Sequence, residues 1–180
     1  MRLLFFVGAL LLSAAGRAQS SPAAMPAPAD VTAQASRMHT LTLRLRPGQD
    51  LRQQLLALVA QHHLRAAAMV TCVGSLTQVT LRLANQEGPT VYRGHFEIVS
   101  LVGTLAASGS HLHLAVADST GRTLGGHLLD GNLVYTTAEL VVGVLEDVEF
   151  GRETDPTFGY RELTVRPVPG SRTKRAAGKK

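Results

Sequence analysis

Gly109-Ser-His-Leu-His-Leu-Ala-Val-Ala-Asp-Ser-Thr-Gly-Arg-Thr-Leu-Gly-Gly-His-Leu-Leu-Asp-Gly131 decides how this chain is read. It holds His111, His113 and His127, three of the seven histidines. From His111 to Ala117 the apolar Leu112, Leu114 and Val116 alternate with His111, His113 and Ala115, a period of two that predicts a strand with one apolar face. Asp118-Ser119-Thr120-Gly121 is a turn signal, with Gly121 suited to positive φ. Arg122 to Leu129 then returns as a second strand. With Ser119 to Gly121 as the loop, Val116 faces Leu124, Leu114 faces Gly126 and Leu112 faces Leu128. The opposite side then places His113 against His127, with His111 one step diagonal. A slip of one residue would bring His127 opposite Leu114 and spoil the apolar face.

Three neutral imidazoles on one face suit a divalent ion. Zinc is the commonest fit, with a fourth position open to water. The competing reading is a polar sheet face whose histidines bond only to neighbours or water. Ala115, Gly125 and Gly126 leave space beside the rings.

The flanking segments supply the rest of the fold. Leu41, Leu43 and Leu45 alternate with Thr42 and Arg44, predicting a strand that ends at Pro47-Gly48. Asp50 is expected in the first turn of a helix, where a negative charge suits the macrodipole. Leu51, Leu55, Leu58 and Val59 mark one face of that helix, which ends near His62-His63. Those two histidines are read as cations favoured at the helix end rather than as ligands.

Ala66 to Val73 is an apolar run fit for a buried strand. Gly74-Ser75 is expected to interrupt it before Gln78 to Leu83 alternates again. Asn85 to Pro89 is a loop. Thr90 to Gly94 leads into Gly94 to Gly103, followed by another strand to Ala107. Asn132 to Glu149 is expected as two strands or one bent at Gly143, and Phe158 to Val165 as the closing strand. One early helix with many strands gives an α+β class, a mostly antiparallel multi-stranded sheet with the helix packed on it.

The chain has 180 residues, 45% of them apolar, enough for one domain with tails. Arg172, Lys174, Arg175, Lys179 and Lys180 account for the net charge of +5, so residues 168–180 read as a basic disordered tail and the body as near neutral. That argues against a nucleic-acid face on the fold. Cys72 is the single cysteine and is expected as a buried thiol.

Residues 1–18 resemble a secretory signal peptide: Arg2, then the apolar Leu3 to Leu12, then Gly16 and Ala18 at small-residue positions. The run is too short for a comfortable membrane span, so no transmembrane segment is expected. Secretion is the expectation; a mitochondrial presequence, or a cytosolic form beginning at Met38, are the alternatives. Residues 19–37, rich in Ala, Pro, Ser and Gln, read as a flexible linker, and residues 38–167 as the domain.

Four further pieces bear on identity: Val73-Gly74-Ser75-Leu76, Gly94-His95-Phe96-Glu97-Ile98-Val99-Ser100-Leu101-Val102-Gly103, the histidine pair with Gly125-Gly126-His127, and Thr137-Ala138-Glu139. In order and spacing they resemble the plant- and prokaryote-conserved (PPC) domain, over Met38 to Pro167. The resemblance implies an α/β sheet domain that assembles as a homotrimer, with His111, His113 and His127 as metal candidates. Plant members carry Gly-Arg-Phe-Glu-Ile-Leu to contact partner proteins. Gly94, His95, Phe96, Glu97, Ile98 and Val99 match it, with His95 in place of Arg and Val99 in place of Leu. Plant members also carry an AT-hook, Arg-Gly-Arg-Pro, for the minor groove. This sequence has no such element, so specific DNA binding is not expected.

Trimerisation also has a physical basis, because a sheet this rich in Val and Leu exceeds what one helix covers. Leu101-Val102 and Val141-Val142 are the segments expected near a subunit contact. The function expected is therefore a non-catalytic homotrimeric binding module with a three-histidine metal site, recognising a protein partner or small ligand. The alternative is a zinc-dependent enzyme using metal-activated water, with Glu97 or Glu139 as a buried general base.

Overall fold

The histidine hairpin forms with the register that its apolar pattern selects. In the computed structural model, which describes residues 33–157 and 159–170, β4 (Gly109–Asp118) and β5 (Thr123–Leu128) pair antiparallel with His113 opposite His127, Leu114 opposite Gly126 and Val116 opposite Leu124. Gly121 takes φ +81° and its N–H donates to the Asp118 carbonyl at 2.9 Å. The Asp118 carboxylate accepts from the Thr120 and Arg122 N–H groups and fixes the loop.

Around this hairpin stand β1 (Met38–Leu45), α1 (Leu51–Gln61), β2 (Ala67–Arg82), β3 (Thr90–Ala106) and β6 (Leu133–Leu145). The strand order is β1-β6-β2-β3-β4-β5, antiparallel throughout. The end of β2 also pairs with β5, Leu81 with Leu128 and Arg82 with His127. That extra pairing closes β2-β3-β4-β5 into a ring. Leu76, Val79, Leu81, Leu105, Leu112, Leu114, Val116 and Leu128 are fully buried. They join one core with Leu51, Leu55 and Val59 of α1. The α+β reading therefore describes the chain.

Several local expectations change. Asp50 is the N-cap, not a first-turn residue. Its side chain accepts from the Gln53 N–H at 2.9 Å, and from the N–H groups of Gly131 and Asn132. Asn132, wholly buried, bonds in turn to the Thr80 N–H and to the Thr80 and Leu129 carbonyls. Together they tie the helix start to the ring closure. At the other end, Leu64 and His63 N–H groups donate to the Val59 and Ala60 carbonyls, with His63 in the left-handed region at φ 50°.

Gly74-Ser75 does not interrupt its strand. β2 runs on for sixteen residues and absorbs the irregularity as register shifts at Met69/Thr71, Gly74/Leu76 and Leu76/Gln78. Thr90 to Ala106 is likewise one strand. Asn132 to Glu149 holds two strands, the first of the expected alternatives: β6 ends at Leu145 and the next begins at Val148, with Gly143 inside β6, where a Cβ would meet Met38 and Val70. The chain turns at Glu146-Asp147. There Arg37 donates to the Asp147 carboxylate from its backbone N–H and its guanidinium, and the Asp147 N–H donates to Ser36 Oγ. Ser36 and Arg37, read as linker, are thus tied to the fold.

The last strands make a sheet of their own. β7 (Val148–Thr154) pairs with β8 (Arg161–Pro167), Arg152 opposite Leu163. The closing strand starts later than expected and does not join the main sheet. Residues 1–32 and 171–180, which carry the signal-peptide reading, most of the linker and most of the basic tail, lie outside the described residues, as does Phe158. Among the described residues no helix is long and apolar enough to cross a membrane. Cys72 is buried, and burial pushes its thiol up to about 12.

Candidate metal centre

His111 and His113 leave β4 on the same side of the sheet, two residues apart, and His127 reaches them from β5. The cross-strand pairing of His113 with His127 and the period of the strand are enough to bring the rings together. Ring centroids lie 5.0 Å (His111–His113), 5.2 Å (His111–His127) and 5.7 Å (His113–His127) apart. His111 Nε2 and His113 Nε2 are 3.2 Å apart, and one donor atom from each residue falls within 4.8 Å of the others. Among the described residues this is the one group of three such side chains able to hold a metal ion.

The donor set fits an ion. Two nitrogens bound tetrahedrally at about 2.0–2.1 Å from zinc stand about 3.3 Å apart, close to the spacing of His111 and His113. His127 Nδ1 is buried with no hydrogen-bond partner among the described residues. Burial holds the His127 imidazole down to about 4, helped by the Arg82 guanidinium and by the other two rings. His111 is lowered by burial, by His113 and by Arg152. Both shifts favour the neutral imidazole, the form that binds a metal.

The rings open on a cleft of about 920 Å³. His111 and His127 line it together with Arg52, Arg82, Arg152 and Arg161 and the carboxylates Glu87 and Glu162. None of these charged residues stands out in the sequence. They come from α1, β2, the loop after it, β7 and β8, and only ring closure and the second sheet bring them together.

Glu97 and Glu139 are not buried. Both side chains are exposed, neither lines the cleft, and Glu139 lies on β6 opposite Val73 and Arg44. Glu97 is exposed although its neighbours are apolar, because on a strand burial of Phe96 and Ile98 turns Glu97 outward. The segment Gly94 to Val99 therefore divides. Phe96 and Ile98 belong to the core, while His95, Glu97 and Val99 face out. The His95 ring packs on Tyr135 at 4.4 Å. Of the expected contact segments, Leu101 and Val142 are core, and Val102 is 54% exposed. His62, His63 and His39 line a separate cleft of about 210 Å³ without converging as a metal group; His39 Nδ1 pairs with Glu146 at 2.9 Å.

An antiparallel, partly closed sheet with one packed helix and a histidine trio on its outer face marks a small β-rich domain. Residues 32–146 match the Plants and Prokaryotes Conserved (PCC) domain, and the chain belongs to that family. It is 50% identical to the bifunctional protein GlmU of a Synechococcus strain over 71% of this chain and 20% of that protein. It is 32% identical to AT-hook motif nuclear-localized protein 13 of Arabidopsis thaliana over 70% of this chain and 30% of the relative. The chain thus spans a fifth to a third of the length of these curated relatives.

Among solved structures it is similar to a hypothetical protein from Salmonella enterica at 49% identity and TM-score 0.73, covering 74% of this chain and 96% of that one. It shares its fold with a metal-containing protein from Archaeoglobus fulgidus at 22% identity and TM-score 0.65, over 74% and 99% of the two chains. A Ralstonia eutropha structure at 25% identity and TM-score 0.60, over 68% of this chain and 89% of that one, is named for a proposed DNA-binding role.

Proposed function

We propose that this chain is a non-catalytic homotrimeric binding module of the PPC type, whose three histidines hold a zinc ion and which recognises a protein partner or small ligand. The observation that carries the reading is the convergence of three imidazole donors at the edge of a large polar cleft. The name of the Archaeoglobus fulgidus neighbour, a metal-containing protein, supports it. The enzyme alternative is weaker, since both carboxylates read as its base are exposed and outside the cleft. Sequence-specific DNA binding, suggested by the names of some neighbours, finds no Arg-Gly-Arg-Pro element in these 180 residues.

The trimer rests on the outer face of the sheet. Val70, Val73, Val99 and Val102 are each more than half exposed there, an apolar surface of the kind that marks an interface. Val102 sits opposite His113, so the metal site borders that face. His95, Glu97 and Val99 are the residues of the Gly94–Val99 segment free to touch a partner. Native mass spectrometry is expected to show three copies, and Val102→Asp to shift the population to monomer. A monomeric parent protein would contradict the assembly.

Residues 1–18 are proposed to direct secretion. N-terminal sequencing of the natural protein is expected to begin just after Ala18, and an intact Met1 would oppose that reading.

A further inference from the structure

The charge around the histidines is unbalanced. Four arginines line the cleft against two carboxylates, Glu87 and Glu162. Arg52 is committed to Asp130 at 2.6 Å. Arg152 spends one N–H on Thr104 Oγ1 at 3.0 Å, and Arg161 one on the Arg152 carbonyl at 3.1 Å. Each guanidinium has five N–H donors, so most remain to be used. The Arg82 side chain makes no hydrogen bond or ion pair among the described residues, although its strand position is directly opposite His127. Imidazole ligands bring no negative charge, so a divalent ion held by the three rings keeps its full charge and adds to this positive excess.

We infer that the cleft beside the histidines binds a small phosphate ester, whose phosphate group is clasped by Arg82, Arg152 and Arg161 and faces the open side of the histidine trio. The inference rests on the metal reading above and names the ligand class for that site. A cleft of about 920 Å³ suits a small molecule. Its lining is charged and hydrogen-bonding, unlike a site for an apolar ligand. A doubly charged oxyanion matches the excess, and the planar guanidinium fork matches phosphate oxygens two at a time. Arg152, Tyr160, Arg161 and Glu162 come from β7, β8 and the turn between them. These lie beyond residues 32–146, the stretch that matches the family model.

The test uses cobalt-loaded full chain, titrated with inorganic phosphate by calorimetry while the visible cobalt spectrum is followed, with succinate as the carboxylate arm. Phosphate is expected to bind, to change the spectrum and to bind more tightly than succinate. Arg152→Gln with Arg161→Gln is expected to weaken phosphate about tenfold or more while cobalt stoichiometry stays the same. Phosphate affinity unchanged in the double variant, or succinate binding equally well, would overturn the assignment. A chain that takes up no cobalt contradicts the metal reading alone. Phosphate binding to that metal-free protein, lost with the two arginines, would still support the cleft, and its absence would overturn it.

Discussion

Zinc added to metal-free protein is expected to raise the melting temperature by roughly 10 °C, and His113→Ala with His127→Ala to remove that gain. The size follows from linkage. A ligand at a hundred times its dissociation constant stabilises the folded state by about 2.7 kcal/mol. For a domain of this size each kcal/mol moves the midpoint by about 3–5 °C. His113 is exposed and His127 half-buried, so the double variant should melt close to the metal-free parent. Its defect should appear only when zinc is added. Calorimetry with and without chelator separates a ligand set from a merely structural cluster, which would lose stability in both conditions.

Gly103→Ala is expected to cost about 2–6 kcal/mol in urea denaturation, far beyond its one added methyl. Gly103 has φ +134°, and a Cβ built there would lie 1.9 Å from the His111 carbonyl oxygen and 2.9 Å from Leu112 Cα. The backbone conformation alone costs an alanine about 1–3 kcal/mol. Relieving the clash requires β4 to move, adding about 1–3 kcal/mol in a packed structure. β4 is the strand that carries His111 and His113, so zinc affinity should fall as well. Gly109→Ala is the control: its φ is +126° but its Cβ would meet nothing within 4 Å. It pays the conformational part only, and should bind zinc normally.

The hairpin was legible because two local signals agree on it. Leu112, Leu114 and Val116 admit one burial face, and Gly121 admits one loop, so the register of His113 against His127 follows without any distant contact. The helix was legible for the same reason, through the spacing of Leu51, Leu55 and Val59. Glycine was the poorer guide in the sheet. Gly74 and Gly143 look like breaks, yet one sits in a bulged but continuous strand and the other yields room to Met38 and Val70. The cleft was not legible at all. Arg52 and Arg152 are 100 residues apart in sequence, and the four arginines Arg52, Arg82, Arg152 and Arg161 share a cleft only because Arg82 pairs with His127 and β7-β8 lines the same space. No periodicity records that closure. Glu97 shows the converse: its apolar neighbours hint at burial, but alternation with the buried Phe96 and Ile98 puts it outside.

The central claim is that His111, His113 and His127 act together on one ion. Anomalous scattering at the zinc edge, from crystals of zinc-loaded protein, tests it most directly. The account predicts one strong site within about 2.0–2.1 Å of a nitrogen from each ring, with its open side toward Arg82 and Arg152. Zinc bound instead beside His39, His62 and His63, or no ordered zinc with the three rings still clustered, would contradict it.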